Sequence, residues 1–314
     1  MKITVVHQGA LGDTILIAPL LQSLRQRFRN DGQNSLTLVT RSSFGQLLTM
    51  LGFTDAYASN EDRDYTRWCI LPESPDTPNS LPSWADCDLL ISAVSSPTGP
   101  WALNARLALA KIKNRTRPIE DSLFFFNPLP PADFPEHITA WHRQQLAALA
   151  LTPSPPPLAR LNPDGPILIH PGSGGIAKCW PRENFLALGH TLKRNGLLPT
   201  FILGEAEQER WGAKYVQELQ SEFSWYLHMG LYELAEKISR ARLFLGNDSG
   251  VTHLAALTGV PVITLFGPSN DIQWRPVGPS VNILRAPAPE DRNLEALPLE
   301  TVLNEMLAEL RKTI

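Results

Sequence analysis

The chain predicts an α/β fold built from two Rossmann-like domains, and three observations carry that prediction. Short apolar runs alternate with stretches whose apolar residues recur at helical spacing, the pattern of parallel strands joined by crossover helices. The alternation is interrupted once, by the segment 153–165 with its five prolines, and then starts again. Such a proline density gives a stiff, extended connection rather than a core element. The two halves also open alike, VVHQGALGD against LIHPGSGG, each an apolar strand ending in histidine and entering a glycine-containing loop.

Taken in order, KITVVH at 2–7 is a strand, and the apolar residues Ile15, Leu16, Leu20, Leu24 and Phe28 predict a helix over 14–28. A strand at 35–39, a short helix at 44–51 and a buried strand at 88–93 follow. Between them, 60–85 is rich in proline, serine and acids around Trp68 and Trp84, and reads as irregular. A helix over 136–151 closes the first domain, taken as 1–152. The second domain, 166–298, restarts with a strand at 167–170, a helix at 182–195 and a strand at 199–203. Helices at 206–221 and 231–240 precede a strand–turn–helix–strand over 243–267. The amphipathic stretch 299–312 is a helix, expected to pack back on the first domain.

Composition narrows the class. A length of 314 residues leaves room for two ordinary domains. With 43% hydrophobic residues, 19% charged residues and a net charge of −3, nothing favours nucleic acid as a partner. Cys69, Cys87 and Cys179 are widely spaced and form no CxxC pair, so neither a disulfide framework nor a zinc site is expected. The immediate N-terminal strand leaves no room for a secretion signal, and no run of about 18 apolar residues suggests a membrane span. A cytoplasmic protein is the expectation.

The chemistry gathers at strand ends. In GNDSGVTHLAALTGVPVITLFG at 246–267, Asp248 or Ser249 occupies the N-cap position of a helix. Gly250 lets another molecule approach the backbone, and the first-turn N–H groups lack intrahelical partners. That is a cradle for a phosphate or pyrophosphate. HPGSGGIAKCWP at 170–181 is a second anion-friendly loop, with Ser173 among flexible glycines and Lys178 as a mobile positive charge or an ordinary surface lysine. His253, one turn into the phosphate helix, is either a ligand to the anion or a buried structural histidine.

Glu205 and Glu207 follow the strand at 199–203, where a carboxylate can hold both hydroxyls of a ribose or simply cap the next helix. Asp13, in GALGDT, is either a helix cap or a carboxylate able to take a proton from an attacking hydroxyl, with Gly9 and Gly12 leaving space for a bulky substrate. The GxxGD spacing is not a dinucleotide fingerprint, which disfavours a nicotinamide role. Arg106, Lys111, Lys113, Arg115 and Arg117 form a run without acids, either a solvated face or a patch for an anionic acceptor or lipid headgroups.

GALGDTILIAPLLQSLRQRF at 9–28, HPGSGGIAKCWPRENF at 170–185 and GNDSGVTHLAALTGVPVITLFGPSN at 246–270 together resemble glycosyltransferase family 9, the ADP-heptose:lipopolysaccharide heptosyltransferases. The resemblance implies a GT-B fold with parallel sheets facing a central cleft, the nucleotide-sugar in the second domain and the acceptor on the first. It implies metal-independent, inverting transfer from an ADP-sugar that is a substrate, with no cofactor, to an anionic glycolipid at the inner membrane surface. Asp13 then matches the catalytic base. Lys178 and Ser173 match the donor-phosphate loop, Glu207 the ribose carboxylate and Met229 the adenine side. Asp248, Ser249, Gly250 and His253 match the D-[ST]-G-x-x-H turn at the pyrophosphate. SAVSSPTGP at 92–100 has no counterpart of the family's Asp-x-x-Gly/Gln-Gly segment. Two alternatives stay open: another nucleotide-sugar or acceptor on the same fold, and a non-catalytic nucleotide-binding protein.

Overall fold

Aliphatic runs with no polar alternation are buried on both faces, and they form the centres of two parallel sheets. The computed structural model describes residues 1–29, 34–93, 96–113, 117–287 and 293–312. The chain divides into two units, Met1–Pro155 and Pro156–Ile314.

The first unit runs β1 (Lys2–Val6), α1 (Leu11–Leu16), α2 (Ala18–Arg27), β2 (Ser35–Thr40), α3 (Ser42–Met50), β3 (Ala56–Ser59), α4 (Arg63–Arg67), β4 (Leu89–Ser92), α5 (Pro100–Ala110), β5 (Leu123–Phe125) and α6 (Ile138–Gln145). Its five strands lie in the order β3-β2-β1-β4-β5, all parallel, with Val5 opposite Leu38 on one side and Ile91 on the other. The helix predicted over 14–28 is two helices. Ile17 ends α1 and precedes α2, and Pro19 in the first turn of α2 has no N–H to continue the ladder.

The stretch read as irregular, 60–85, follows β3 and carries α4 and a 3-10 turn at Ser83–Ala85. It is held by an aromatic cluster: Trp68 lies 4.8 Å from Trp84 and 5.3 Å from Trp101, centroid to centroid, with Tyr65 beside them. Asn104, fully buried on α5, accepts the Asn79 N–H at 2.8 Å and donates to the Ile70 and Pro100 carbonyls. Those bonds satisfy loop backbone that burial would otherwise leave unpaired.

The second unit runs β6 (Ile167–His170), α7 (Arg182–Arg194), β7 (Pro199–Leu203), α8 (Glu205–Trp211), α9 (Ala213–Glu222), β8 (Ser224–Leu227), α10 (Leu231–Ile238), β9 (Leu243–Asn247), α11 (Gly250–Thr258), β10 (Val262–Phe266), α12 (Asp271–Trp274), β11 (Val281–Arg285) and α13 (Leu299–Lys312). Its sheet order, β11-β10-β9-β6-β7-β8, is the doubly wound arrangement with the first strand at the centre. The helix expected over 206–221 breaks at Gly212, whose φ of +79° is a left-handed backbone that glycine adopts without strain.

The expected docking of 299–312 on the first domain is corrected. α13 packs on α7 and β9, and Val302, Met306 and Leu310 join the core of the second unit with Leu188, Leu192 and Phe185. Its apolar stripe is thereby covered within its own unit. Among the described residues no helix is long and apolar enough to cross a membrane.

Candidate functional site

In an open parallel sheet, ligands collect beyond the carboxyl ends of the strands where the strand order reverses. In the second unit that switch point falls between β6 and β9, and the two anion-friendly segments leave those two strands. They are tied together by side chains. Asn247, the last residue of β9 and fully buried, accepts the Trp180 N–H at 3.0 Å and donates to the Pro171 carbonyl at 2.8 Å. Ser173 Oγ donates to the Asp248 carbonyl at 2.6 Å, so the hydroxyl proton pins the loop instead of pointing at a ligand. From α8, Arg210 donates to the Ser173 carbonyl at 3.0 Å. Neither Asn247 nor Arg210 is marked by the sequence; Asn247 only adjoins the turn, and Arg210 sits one turn past Glu207.

Of the two N-cap candidates, Ser249 is the cap. Its Oγ accepts the Thr252 N–H, leaving the N–H groups of Gly250 and Val251, at the first two helical positions, without intrahelical acceptors. Asp248 does different work. Its carboxylate, with a side chain 7% exposed, takes Lys178 Nζ on Oδ2 at 2.8 Å and has His253 Nε2 3.7 Å from Oδ1. Burial acts to raise this carboxyl, but His253, Lys178 and Ser269 outweigh it and hold the group below the usual carboxylate range. A permanent negative charge therefore holds Lys178, which is 42% exposed, at the mouth of the helix turn. His253 is buried, and among the described residues its Nδ1 has no hydrogen-bond partner.

His170, at the end of β6, is buried with Nδ1 3.4 Å from Ser249 Oγ. Burial lowers its pKa, opposed by the Glu207 charge. Beside it a cavity of about 300 Å³ opens at the carboxyl ends of β7 and β8, lined by Glu205, Tyr226, His228, Met229, Leu231 and Val251 among others. Met229, which the resemblance assigns to the adenine side, lines this cavity together with Val251 of the first turn of α11. The ribose expectation meets a difference. Glu207 is buried and accepts the Gly204 N–H on Oε2 at 2.6 Å, while a Cβ on Gly172 would collide with its Oε1. The capping role offered to Glu205 belongs to Glu207, and Glu205 is the carboxylate on the cavity wall.

In the first unit, the carboxyl end of β1 carries His7 and the loop to α1. Asp13 is not the N-cap: Ala10 holds that position, and Asp13, three residues into the turn and half-buried, accepts the Ala10 N–H at 3.0 Å. Gly9 is needed for packing, since a Cβ there would lie 2.5 Å from both Asp13 Cβ and His7 Cε1. Gly12 lies within α1. Arg106 is engaged, donating to the Pro97 carbonyl at 2.9 Å and lying over the Phe125 ring.

Lys111 and Lys113 do not join the Asp13 loop. They follow the C-terminus of α5, which runs back between the parallel strands β4 and β5 and so ends at the opposite edge of the sheet. Arg115 lies outside the described residues, as do Val94 and Ser95 of the 92–100 segment. Among the described residues no group of three or more His, Cys, Asp or Glu side chains is arranged to hold a metal ion.

Comparison with known proteins follows the same lines. The model of glycosyltransferase family 9 (heptosyltransferase) matches residues 112–301. Lipopolysaccharide heptosyltransferase 3 of Escherichia coli K12 is 30% identical over 116 residues, covering 35% of this chain and 33% of that protein. Lipooligosaccharide heptosyltransferase 2 of Haemophilus influenzae is 28% identical over 116 residues, with the same shares of 35% and 33%. The chain thus spans about a third of the length of these curated relatives in the matched region. Among solved structures, a family 9 glycosyl transferase from Veillonella parvula superposes with a TM-score of 0.71 at 18% identity, covering 99% of this chain and 97% of that one. E. coli heptosyltransferase WaaC with ADP gives a TM-score of 0.68 at 18% identity, covering 98% and 100%. At these identities the superpositions show the fold.

Proposed function

The chain belongs to glycosyltransferase family 9 (heptosyltransferase), and on that premise we propose that it transfers a heptose from ADP-heptose to a lipopolysaccharide inner core or a related anionic glycolipid at the cytoplasmic face of the inner membrane. The observation that carries the donor half is the lashed pair of loops between β6 and β9. There two unsatisfied helix N–H groups and Lys178, held by an ionised Asp248, adjoin a nucleoside-sized cavity. The relative solved with ADP carries the same fold.

In this reading the acceptor hydroxyl oxygen attacks the anomeric carbon of the donor while Asp13 takes the hydroxyl proton. The bond from the anomeric carbon to the ADP oxygen breaks, its electron pair leaves with the diphosphate, and configuration inverts. The transition state has oxocarbenium character. Charge growing on the leaving diphosphate is met by the Gly250 and Val251 N–H groups and by Lys178, which need no reorganisation at that moment. These groups can carry the departing charge without a metal, and His253 and Met229 complete the donor side.

The test is Asp13→Ala in a transfer assay with ADP-heptose, beside calorimetric titration of ADP. Transfer falls by about 10³-fold or more while ADP affinity stays within about twofold, the signature of a group used only in the transition state. A variant that keeps most of its activity leaves Asp13 as no more than a carboxylate that accepts the Ala10 N–H.

A further inference from the structure

The second unit holds another cavity, of about 710 Å³, which opens between the loop that carries Lys178, the start of α7, the end of α8 and a 3-10 turn at Leu294–Ala296. Its volume is that of a small-molecule site, and none of Glu205, His228 and Met229 lines it. Two guanidiniums and two carboxylates, Arg182, Arg210, Glu183 and Glu295, stand on its wall beside Trp211 and the exposed Ile176. The arginines are fixed by their own bonds. Arg182 Nε donates to Glu183 Oε1 at 2.8 Å and its Nη1 to the Trp211 carbonyl at 3.2 Å, with the guanidinium 4.9 Å from the Tyr215 ring centroid. Arg210 Nη1 donates to the Ser173 carbonyl at 3.0 Å and to Cys179 Sγ at 3.5 Å. Each guanidinium keeps N–H groups that these bonds do not use.

A guanidinium only donates and an ionised carboxylate only accepts, so this wall alternates the two roles. A phosphate is repelled by the glutamates and an amine by the arginines. A hydroxyl serves both, and a ring with hydroxyls on its rim and C–H groups on its faces also covers Trp211 and Ile176. We propose that this cavity is a second binding site, for a saccharide, and that its occupation braces the donor loop. Ile176, Ala177 and Cys179 line the cavity, while Lys178 between them reaches Asp248. Arg210 ties the same wall to Ser173. A ligand held by Arg210 and packed on Ile176 therefore restrains the segment that positions Lys178. By linkage, a bound donor tightens the saccharide by the same factor. The bracing rests on the reading that the donor nucleotide occupies the second unit; the saccharide site does not.

Saturation-transfer NMR of the full chain with maltotriose, mannotriose and lipid-free lipopolysaccharide core oligosaccharide tests the site, with inorganic phosphate as the competitor. At least one saccharide binds at millimolar concentration or below, and neither phosphate nor saturating ADP displaces it. Binding of the core oligosaccharide alone makes the occupant the glycan of the acceptor, and binding of the neutral trisaccharides as well makes it a free sugar. Glu183 and Glu295 are both exposed, so Glu183→Ala combined with Glu295→Ala leaves the fold intact. In that double variant saccharide affinity falls about tenfold, the worth of a hydrogen bond to a charged group. In calorimetry, the unsubstituted protein binds ADP about fivefold more tightly once the saccharide is present.

The site is overturned if no saccharide binds, if phosphate or ADP displaces the one that does, or if the double variant binds it unchanged. If the site holds and ADP affinity ignores it, the bracing is wrong and the donor reading stands. If the unsubstituted protein binds no ADP at all, the donor reading fails and the bracing with it, while the saccharide site is still decided by the NMR titration.

Discussion

Acid should destabilise the first unit through two buried histidines, by an amount that follows from their environment. His7 directly follows β1 and His142 lies on α6, and each is 1% exposed. Burial pushes His7 down to about 3, with the nearby His142 adding to the effect. Burial pushes His142 to about 4, opposed by its contact with the Pro128 carbonyl. Both folded-state values lie below the value of 6.5 for a free imidazole. As pH falls below 6.5 the unfolded chain therefore takes up protons that the folded chain refuses. Stability is fully present above that pH and is lost on descent toward the folded-state values.

At 1.36 kcal/mol per unit, moving from pH 7 to pH 5 costs roughly 2 kcal/mol for each histidine, about 4 kcal/mol together. That is a large part of the stability of an ordinary domain. Hydrogen exchange followed on peptides from β1 and α6 separates this unit from the other, which a single melting curve of a two-unit chain would not. His142→Phe removes one titration and keeps a ring packed against Phe126, so it should roughly halve the slope. The reasoning is refuted if the first unit loses less than about 1 kcal/mol between pH 7 and 5, or if His142→Phe keeps the full slope. The effect reaches the proposed base, because His7 Nδ1 accepts the Gly9 N–H at 3.2 Å. A proton there opposes a donor and loosens the loop that holds Asp13.

Two further substitutions probe the donor side. Gly172→Ala drives a methyl group into Glu207, whose carboxylate is buried and committed to Gly204; destabilisation of about 2 kcal/mol or more is expected in chemical denaturation, along with weaker ADP binding. Asn247→Ala leaves the Trp180 N–H and the Pro171 carbonyl unpaired in a buried site, costing about 2–4 kcal/mol by the same measurement. Its ADP affinity should fall as well, since the loop carrying Lys178 loses its anchor to β9.

What the sequence makes legible is what burial writes into it. Ile167–His170, Pro199–Leu203, Leu243–Asn247 and Val262–Phe266 are buried along their whole length, and they read as apolar runs. The edge strand Ser224–Leu227 is half exposed, and Val281–Arg285 is only partly covered, so neither carries an unbroken apolar signal. The two broken helices misread for a related reason: periodicity runs through Ile17 and Gly212 because the side chains still face a core, while Pro19 and the left-handed glycine interrupt only the backbone. In the site, the residues marked by glycine and N-cap chemistry were visible. Asn247 and Arg210 were not, because what they do depends on partners at positions 180 and 173, which only the folded sheet brings near. The docking of α13 was misjudged because amphipathicity states that a face is covered and not by what.

The likeness between VVHQGALGD and LIHPGSGG extends further than a shared strand end, and then stops where the chemistry needs it to. In both units a histidine closes the central strand, is buried, and is held neutral by that burial. In both, its Nδ1 faces a hydroxyl at the start of a helix, Thr14 in one and Ser249 in the other. A neutral buried ring at this position adds no charge of its own, so the sign of each strand end is set by what the loop brings to it. The first loop brings the Asp13 carboxylate, suited to receive a proton. The second brings Lys178 and bare helix N–H groups, suited to receive electrons leaving with a diphosphate. On the proposed reading, exchanging those charges would defeat both tasks: a carboxylate in place of Lys178 would leave the ionised Asp248 without its cation and put a second negative charge beside the leaving diphosphate, and a lysine at position 13 would already carry the proton that the proposed base accepts.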